Sequence, residues 1–513
     1  MRSRRCRVSG GHAGSVRALV CSALSCMVLG VAEEGRAQVV GPNAAGCYDP
    51  VDFGATPDDP SDDDRPASQS AIDEAAAAGG GRVCFPAGRF RLTRAPAGSR
   101  NRFAALSVHD AHIEIVGAGP ATTLEVSGDA GGGALYVLSL DPGSSDIGVR
   151  DLTIDTSALV NTDEQTHAIQ IGSGIGTGLV QDVQLERVRF AHPSSSDGSR
   201  KGDCVRLLGN TPESAVSRVT IRGMHFTTCA RSGIGIQRNV VDVIIDSNQF
   251  VQATDQDIDS EPTGTGQNGS MTITGNVFHD DPAVAQGDFS VTLGGSGGPM
   301  SRVTLANNVF HGRGVLSYRS ADTIISGNTF DVQYESADAV IDTENVATRV
   351  TISGNTIRRN GSAGACISST HQSGGVPSHL QIVNNTCENA TGGHGIDIES
   401  GAELTIAGNG IAWSGPAPNA VGVRFRSVIQ AGNGLLIANN RFGGGGSAAI
   451  LLAASPFPIG AVSIVGNLAT GTTDSLRCQT GSGGSFTSPI VHAANAWQTA
   501  PACAAATLVS QTP

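Results

Sequence analysis

The chain has 513 residues, 33 Lys and Arg against 46 Asp and Glu, a net charge of −13, 68 Gly and only 4% aromatic residues. An acidic balance of this size excludes a nucleic-acid partner, which requires a basic face, and the length exceeds what one globular core usually holds. The first element in chain order reads as a secretion signal over residues 1–37. Arg2, Arg4, Arg5 and Arg7 precede the apolar run from Ala18 to Ala32, which is too short for a membrane span. Removing 1–37 lowers the basic residues from 33 to 27 and the acids from 46 to 44, so the exported chain is near −17, with no membrane in its mature form. Eight Cys remain, at 47, 84, 204, 229, 366, 387, 478 and 503, an even number that suggests disulfides in an exported protein, paired in chain order.

Residues 38–92 form an N-terminal cap. The stretch from Val51 to Leu92 runs Asp52-Phe53-Gly54-Ala55, an acidic turn from Asp58 to Asp64, an amphipathic helix from Ser68 to Ala78, then Gly79 to Gly81 and Pro86-Ala87-Gly88. This block resembles the opening of the pectate-lyase-superfamily proteins. The resemblance implies a right-handed single-stranded parallel β-helix with its open end capped by the helix, and a bias toward acidic polysaccharides. Lyases, hydrolases, epimerases and phage tailspikes share the block, so it leaves the reaction open.

Repeats then occupy residues 93–470, followed by a C-terminal cap or tail at 471–513. Segments such as VIIDSNQF, MTITGNVF, VTLANNVF and VTISGNTI place Asn at their sixth position, from Asn248 to Asn467. Those Asn residues lie 20 to 32 residues apart, which means a constant strand unit with loops of varying length. Asn tolerates the left-handed backbone of a tight turn and its amide can bond to its counterpart in the next coil. Two residues on, Phe226, Phe250, Phe278, Phe310 and Phe330 turn inward as a column. The pattern predicts an all-β solenoid of roughly 12 coils, each adding about 4.8 Å.

A second strand precedes each Asn segment. Aligning its inward apolar residues (Ile234, Ile258, Val291, Leu316, Ile341, Ile367, Ile396, Val423) makes the next residue face out. Ile-Asp-x-Glu then occurs three times, and the outward columns carry Asp259, Asp342, Asp397 and Arg424 in one line and Glu261, Arg319, Glu344, Glu399 and Arg426 in the other. Arg319 is expected one coil from Glu344, and Arg426 one coil from Glu399. Small residues between the charges leave room for a sugar chain.

Asp259 with Glu261, or Asp342 with Glu344, has the spacing of an inverting glycosidase pair, for which carboxyls about 6.5–9.5 Å apart are needed. A lyase would instead use carboxylates to hold Ca²⁺, with Asp257, Asp259 and Glu261 as ligands and Arg319 as base or electrostatic stabiliser. No other cofactor is called for. The run from Gly392 to Gly401 resembles the Gly-His-Gly strand of polygalacturonases, and Val423-Arg424-Phe425-Arg426 resembles their substrate clamp. That resemblance implies that His394, Arg424 and Arg426, beside Asp397 and Glu399, bind a sugar carboxylate. The coil before reads Gly364-Ala365-Cys366 and lacks that family's acid pair. Two readings stay open: a secreted, extracellular or periplasmic lyase or hydrolase acting on a uronate-containing polymer, and a non-catalytic glycan-binding or surface-structural rod. Either could be a monomer or a trimer.

Overall fold

The computed structural model describes residues 41–511 except 127, 130–132, 161–162, 192–200, 263–267, 281–286, 296, 333–338, 361–363, 371–374, 376, 390–391, 429 and 431. The signal expected over 1–37 lies outside the described residues. Among those described, no helix is long and apolar enough to cross a membrane. Parallel strands stack into a right-handed β-helix of about 13 turns, its walls a 17-stranded and a 27-stranded sheet. Parallel pairing continues to the strand Leu508–Ser510.

The helix at the N-terminus spans Arg65–Ala77, three residues earlier than the apolar pattern suggested. Pro66 explains the shift, because its missing N–H and fixed φ suit the first turn. The helix buries Ala71, Ile72 and Ala75 against the first coils. Gln69 donates to Ser107 O at 3.0 Å and accepts from Ser107 N at 2.9 Å, so the helix satisfies the edge of the first coil.

Inside the rod, Phe190, Phe226, Phe250, Phe278, Phe310 and Phe330 stack with centroids 4.5–5.1 Å apart. Parallel stacking repeats the same side chain at the same corner, which is why the column was legible. Phe278→Ala would leave a ring-sized hole and break two stacked pairs, costing about 3–5 kcal/mol. A drop in the urea midpoint checks this, and an unchanged midpoint would contradict the stack.

The Asn ladder is present and extends one step further than the repeats suggested. Asn248 Nδ2 donates to Asn276 Oδ1 at 2.9 Å, and the pattern repeats to Asn467 and Asn495 at 3.0 Å. Each ladder Asn also donates to a backbone carbonyl of an earlier coil, as Asn328 does to Leu305 O at 3.0 Å. One detail differs from expectation. The left-handed residue is the one before the ladder Asn, such as Ser247 (φ 57), Gly327 (φ 64) and Asn384 (φ 57). The turn therefore needs αL one place earlier, and the ladder Asn is free to point inward.

Four disulfides, Cys47–Cys84, Cys204–Cys229, Cys366–Cys387 and Cys478–Cys503, agree with pairing in chain order.

Candidate functional site

On the outer face of the long sheet, register aligns Ser107, Ser139, Gln170, Arg206, Gly235, Asp259, Thr292, Leu316, Asp342, Ser368, Asp397, Arg424 and Leu451. Asp259, Asp342 and Asp397 thus share one flank. The expected alignment slips by one at a single coil. Val315, not Leu316, pairs with Val291, across a register shift between Phe289 and Val291. Ser317 then turns inward to bond Ser320, and Tyr318 stands level with Glu344. Arg319 leaves the column: it adopts φ 50 at the corner and its backbone N–H donates to Glu344 O at 3.1 Å.

The Asp257, Asp259, Glu261 set does not share a face. The strand there is only Ile258–Ser260, so alternation does not reach Asp257. Asp257 is buried beside Asp280, Ser290 and Arg313, with Arg313 Nη2 3.8 Å away. Burial, and then the charge of Asp280, push its carboxyl well above the ordinary range. Among the described residues no group of three or more His, Cys, Asp or Glu is placed to hold a metal ion. The three expected Ca²⁺ ligands therefore do not form a cage.

Further along, the acids and arginines satisfy one another. Arg424 donates twice to Asp397, with Nε to Oδ1 at 2.8 Å. Arg426 reaches Asp397 Oδ2 at 2.9 Å and Glu399 Oε1 at 3.1 Å. Burial opposes ionisation of Asp397, yet the two guanidiniums outweigh it and hold the carboxyl below its usual range. Asp342 accepts from Ser368 and, at 3.2 Å, from Thr370, which also reaches Glu344 at 3.4 Å. These pairs form the register-keeping ladder of a parallel sheet.

His394 lies at the edge of this cluster, its Nδ1 accepting from Val421 N–H at 3.1 Å. The proton of the neutral ring is therefore on Nε2. Burial, then Arg424, lower its pKa to about 4. The folded value lies below the unfolded one of about 6.5, so the neutral ring's contribution to stability is present above pH 6.5 and is lost as pH falls through about 4. An NMR titration should place its midpoint near 4. A normal midpoint would mean that the ring is not buried beside Arg424 in solution.

A different cluster gathers around the first Ile-Asp-x-Glu coil. Its outward column runs Arg206, Gly235, Asp259. Asp203, just before the strand Val205–Leu208, is fully buried, and Arg231 grips both its oxygens, at 2.8 and 2.6 Å. The same guanidinium holds Glu164 at 2.9 Å. Gly235 makes this arrangement fit. A Cβ there would lie 2.6 Å from Asp203 Oδ2, so the carboxylate fills the space a side chain would take. Arg206 is nearly buried, with Nη1 3.1 Å from His167 Nε2 and its Nε without a partner among the described residues. His167 in turn stacks on Tyr136, centroids 5.8 Å apart. The Cys204–Cys229 disulfide pins the chain next to both Asp203 and Arg231.

Two carboxyls in this cluster are driven in opposite directions. Burial opposes ionisation of Asp203, but Arg231 prevails and holds its pKa at about 2. Asp259 is half-buried and has no hydrogen-bond or ion-pair partner among the described residues. Burial, then the charges of Glu261 and Asp203, push it well above the ordinary range, with Arg231 opposing. One acid is held ionised while its neighbour, about one coil away, is driven toward its protonated form. That division supplies a proton donor beside fixed positive charge. Glu261 stands exposed at the rim. Asp203, His167 and Arg231 were not singled out from sequence. Their one signal was Gly202-Asp203-Cys204, a fragment of an acid-Cys motif.

Residues 339–495 match the family described as right handed beta helix region. The chain is 34% identical over 151 residues to mannuronan C5-epimerase AlgE6 of Azotobacter vinelandii, covering 29% of this chain and 17% of that protein. A second relative from that organism, mannuronan C5-epimerase AlgE3, is 39% identical over 154 residues, with 29% of this chain and 8% of its own length matched. The matched stretch is thus a small part of either relative. Among solved structures, the A-module of mannuronan C-5 epimerase AlgE4 from Azotobacter vinelandii superposes with a TM-score of 0.50 at 18% identity, covering 77% of this chain and 95% of the module. A tailspike protein mutant of E. coli bacteriophage HK620 in complex with pentasaccharide gives 0.52 at 13% identity, covering 85% and 78%. At these identities the likeness is one of fold alone, the right-handed parallel β-helix.

Proposed function

We propose that this chain is a polysaccharide-active enzyme whose substrate is a uronate-containing polymer, laid along the outer face of the long sheet, and whose proton donor is Asp259. The observation that carries this reading is the contrast between Asp259, outward, without a partner among the described residues and pushed toward its protonated form, and Asp203, buried and held ionised by Arg231. Arg206, whose Nε has no partner among the described residues, supplies the positive charge that a sugar carboxylate needs, while Arg231 is engaged by Asp203 and Glu164. Asp259 delivers its proton to the glycosidic oxygen as the bond to the leaving sugar breaks. Both candidate cleavages need that step. In hydrolysis, water adds at the anomeric carbon and passes a proton to Glu261 as general base. In elimination, Glu261 takes the C5 proton as base, a C4–C5 double bond forms and O4 departs with the proton donated by Asp259.

A reading without cleavage is favoured by the stretch of 34% identity to a mannuronan C5-epimerase. There the C5 proton would be removed and one returned to the opposite face. The four disulfides suit an oxidising compartment. A panel of acidic polysaccharides separates the reactions, assayed with and without Ca²⁺. Ultraviolet-absorbing unsaturated ends mean elimination, new reducing ends alone mean hydrolysis, and altered C5 configuration by NMR without shortening means epimerisation. Neither binding nor change across uronate polymers would refute the proposal and favour a purely structural rod.

A further inference from the structure

The outward column does not stop at Arg206. Toward the N-terminus it continues through Gln170 and Ser139 to Ser107, where Gln69 of the capping helix closes it. Over this stretch lies a cleft of about 680 Å³, lined by Arg100, Arg102, His109, Tyr136, Asp141 and the Gly-rich turn 172–177. A smaller cleft of about 500 Å³ adjoins it, shares Arg100 and His109, and is walled by Arg65, Gln69 and Asp73 of the helix. Tyr136 links the larger cleft to the Asp259 cluster, because it stacks on His167.

The floor of this cleft is built rather than incidental. Asp141 Oδ2 lies 2.8 Å from His109 Nδ1, both side chains largely covered. Its other oxygen accepts from Asn101 Nδ2 at 2.8 Å and from Ser139 Oγ at 2.5 Å. Asp141 is held through Oδ1, its Oδ2 lies at ion-pair distance from the ring, and Nε2 of His109 has no partner among the described residues. An oriented imidazole edge beside two exposed guanidiniums, Arg100 and Arg102, suits a sugar ring that carries both hydroxyls and a carboxylate.

We infer that this N-terminal cleft binds the end of the uronate chain, so that the polymer enters the groove by a terminus seated against the capping helix. The inference rests on the function proposed above and adds to it a mode of attack. From Ser139 to Asp259 is four coils, about 19 Å. A chain end held at His109 therefore sets a fixed distance to the proton donor, and the enzyme acts near chain ends. The cluster around Asp397 lies on the far side of Asp259 and faces the rest of the polymer.

The test uses oligouronates of graded length, free or carrying a bulky fluorophore on the reducing or the non-reducing end. Calorimetry on the full chain should show free oligomers binding and one of the two blocked forms binding at least about tenfold more weakly, or about 1.4 kcal/mol. Arg100→Ala with Arg102→Ala should erase that discrimination while weakening free oligomers. His109→Gln should do the same without lowering the melting temperature. If free oligomers bind and both blocked forms bind equally well, end recognition is wrong and the groove is open. If no oligouronate binds the wild-type chain, the proposed function itself fails.

Discussion

Asp259→Asn abolishes the donated proton and is expected to lower turnover about 10²–10⁴-fold, while binding of the polymer changes little. The substitution keeps the shape and removes only the acid. The same change carries a stability signature that distinguishes a functional acid from a structural one. The folded pKa of Asp259 is raised above the unfolded value of about 3.9. Its contribution to stability is thus fully present below about pH 3.9 and is lost as pH rises through the folded value. Above its folded value the wild-type carboxyl is a burden on the fold, so Asp259→Asn should melt no lower than wild type there. A residue that holds the coil together would show the reverse: lost stability and retained turnover.

The pH–rate profile follows from the same shift. Activity requires protonated Asp259, so it persists above the range in which an ordinary Asp has ionised and falls as pH rises through the raised value. A mutation that relieves the like charge, Glu261→Gln, should move that falling limb to lower pH, because Glu261 is the largest electrostatic cause after burial. An alkaline limb that stays in place in both variants would assign the titration to another group.

How far this was legible depends on which physical rule governs each residue. The Phe column and the Asn ladder repeat at one position in every coil, so stacking writes them directly into the sequence. The outward acids followed from period-two alternation, and Asp259, Asp342 and Asp397 do share a flank. Alternation fails where a strand is short or a residue is absorbed. Asp257 lies before a three-residue strand and turns inward to Arg313. Arg319 lost its place to a register shift against the preceding coil, which nothing in its own segment, GVLSYRS, signals. Asp203 and Arg231 sit at strand ends, where side-chain direction is set by the turn and by the neighbouring disulfide rather than by the pleat. The three Ile-Asp-x-Glu repeats also look alike, yet among the described residues only the first keeps its Asp without a hydrogen-bond or ion-pair partner. Asp397 has two such partners and Asp342 has hydroxyls. That difference lives in the adjacent coils, about 5 Å away in space and some 25 residues away in the chain, as the Asp203–Arg231 pair is.

Arg231→Met is expected to produce the largest loss of stability among single changes at the site, about 3–5 kcal/mol, because it strands the buried Asp203 charge. In the wild-type chain Asp203 titrates at about 2, below the unfolded value of about 3.9. Its stabilising share is therefore present above about pH 4 and disappears as pH falls through 2. Without the bidentate guanidinium, burial dominates and the folded pKa rises above the unfolded one. The sign then inverts: Arg231→Met should become more stable as the solution is acidified toward pH 4 and should weaken toward neutrality. Asp203→Asn added to Arg231→Met removes the stranded charge and should recover much of the loss. Thermal melts of the wild type and the two variants between pH 4 and pH 8 decide the matter. A single variant that keeps the wild-type pH profile would show that Asp203 is not held ionised by Arg231, and with that the contrast between the two acids would vanish.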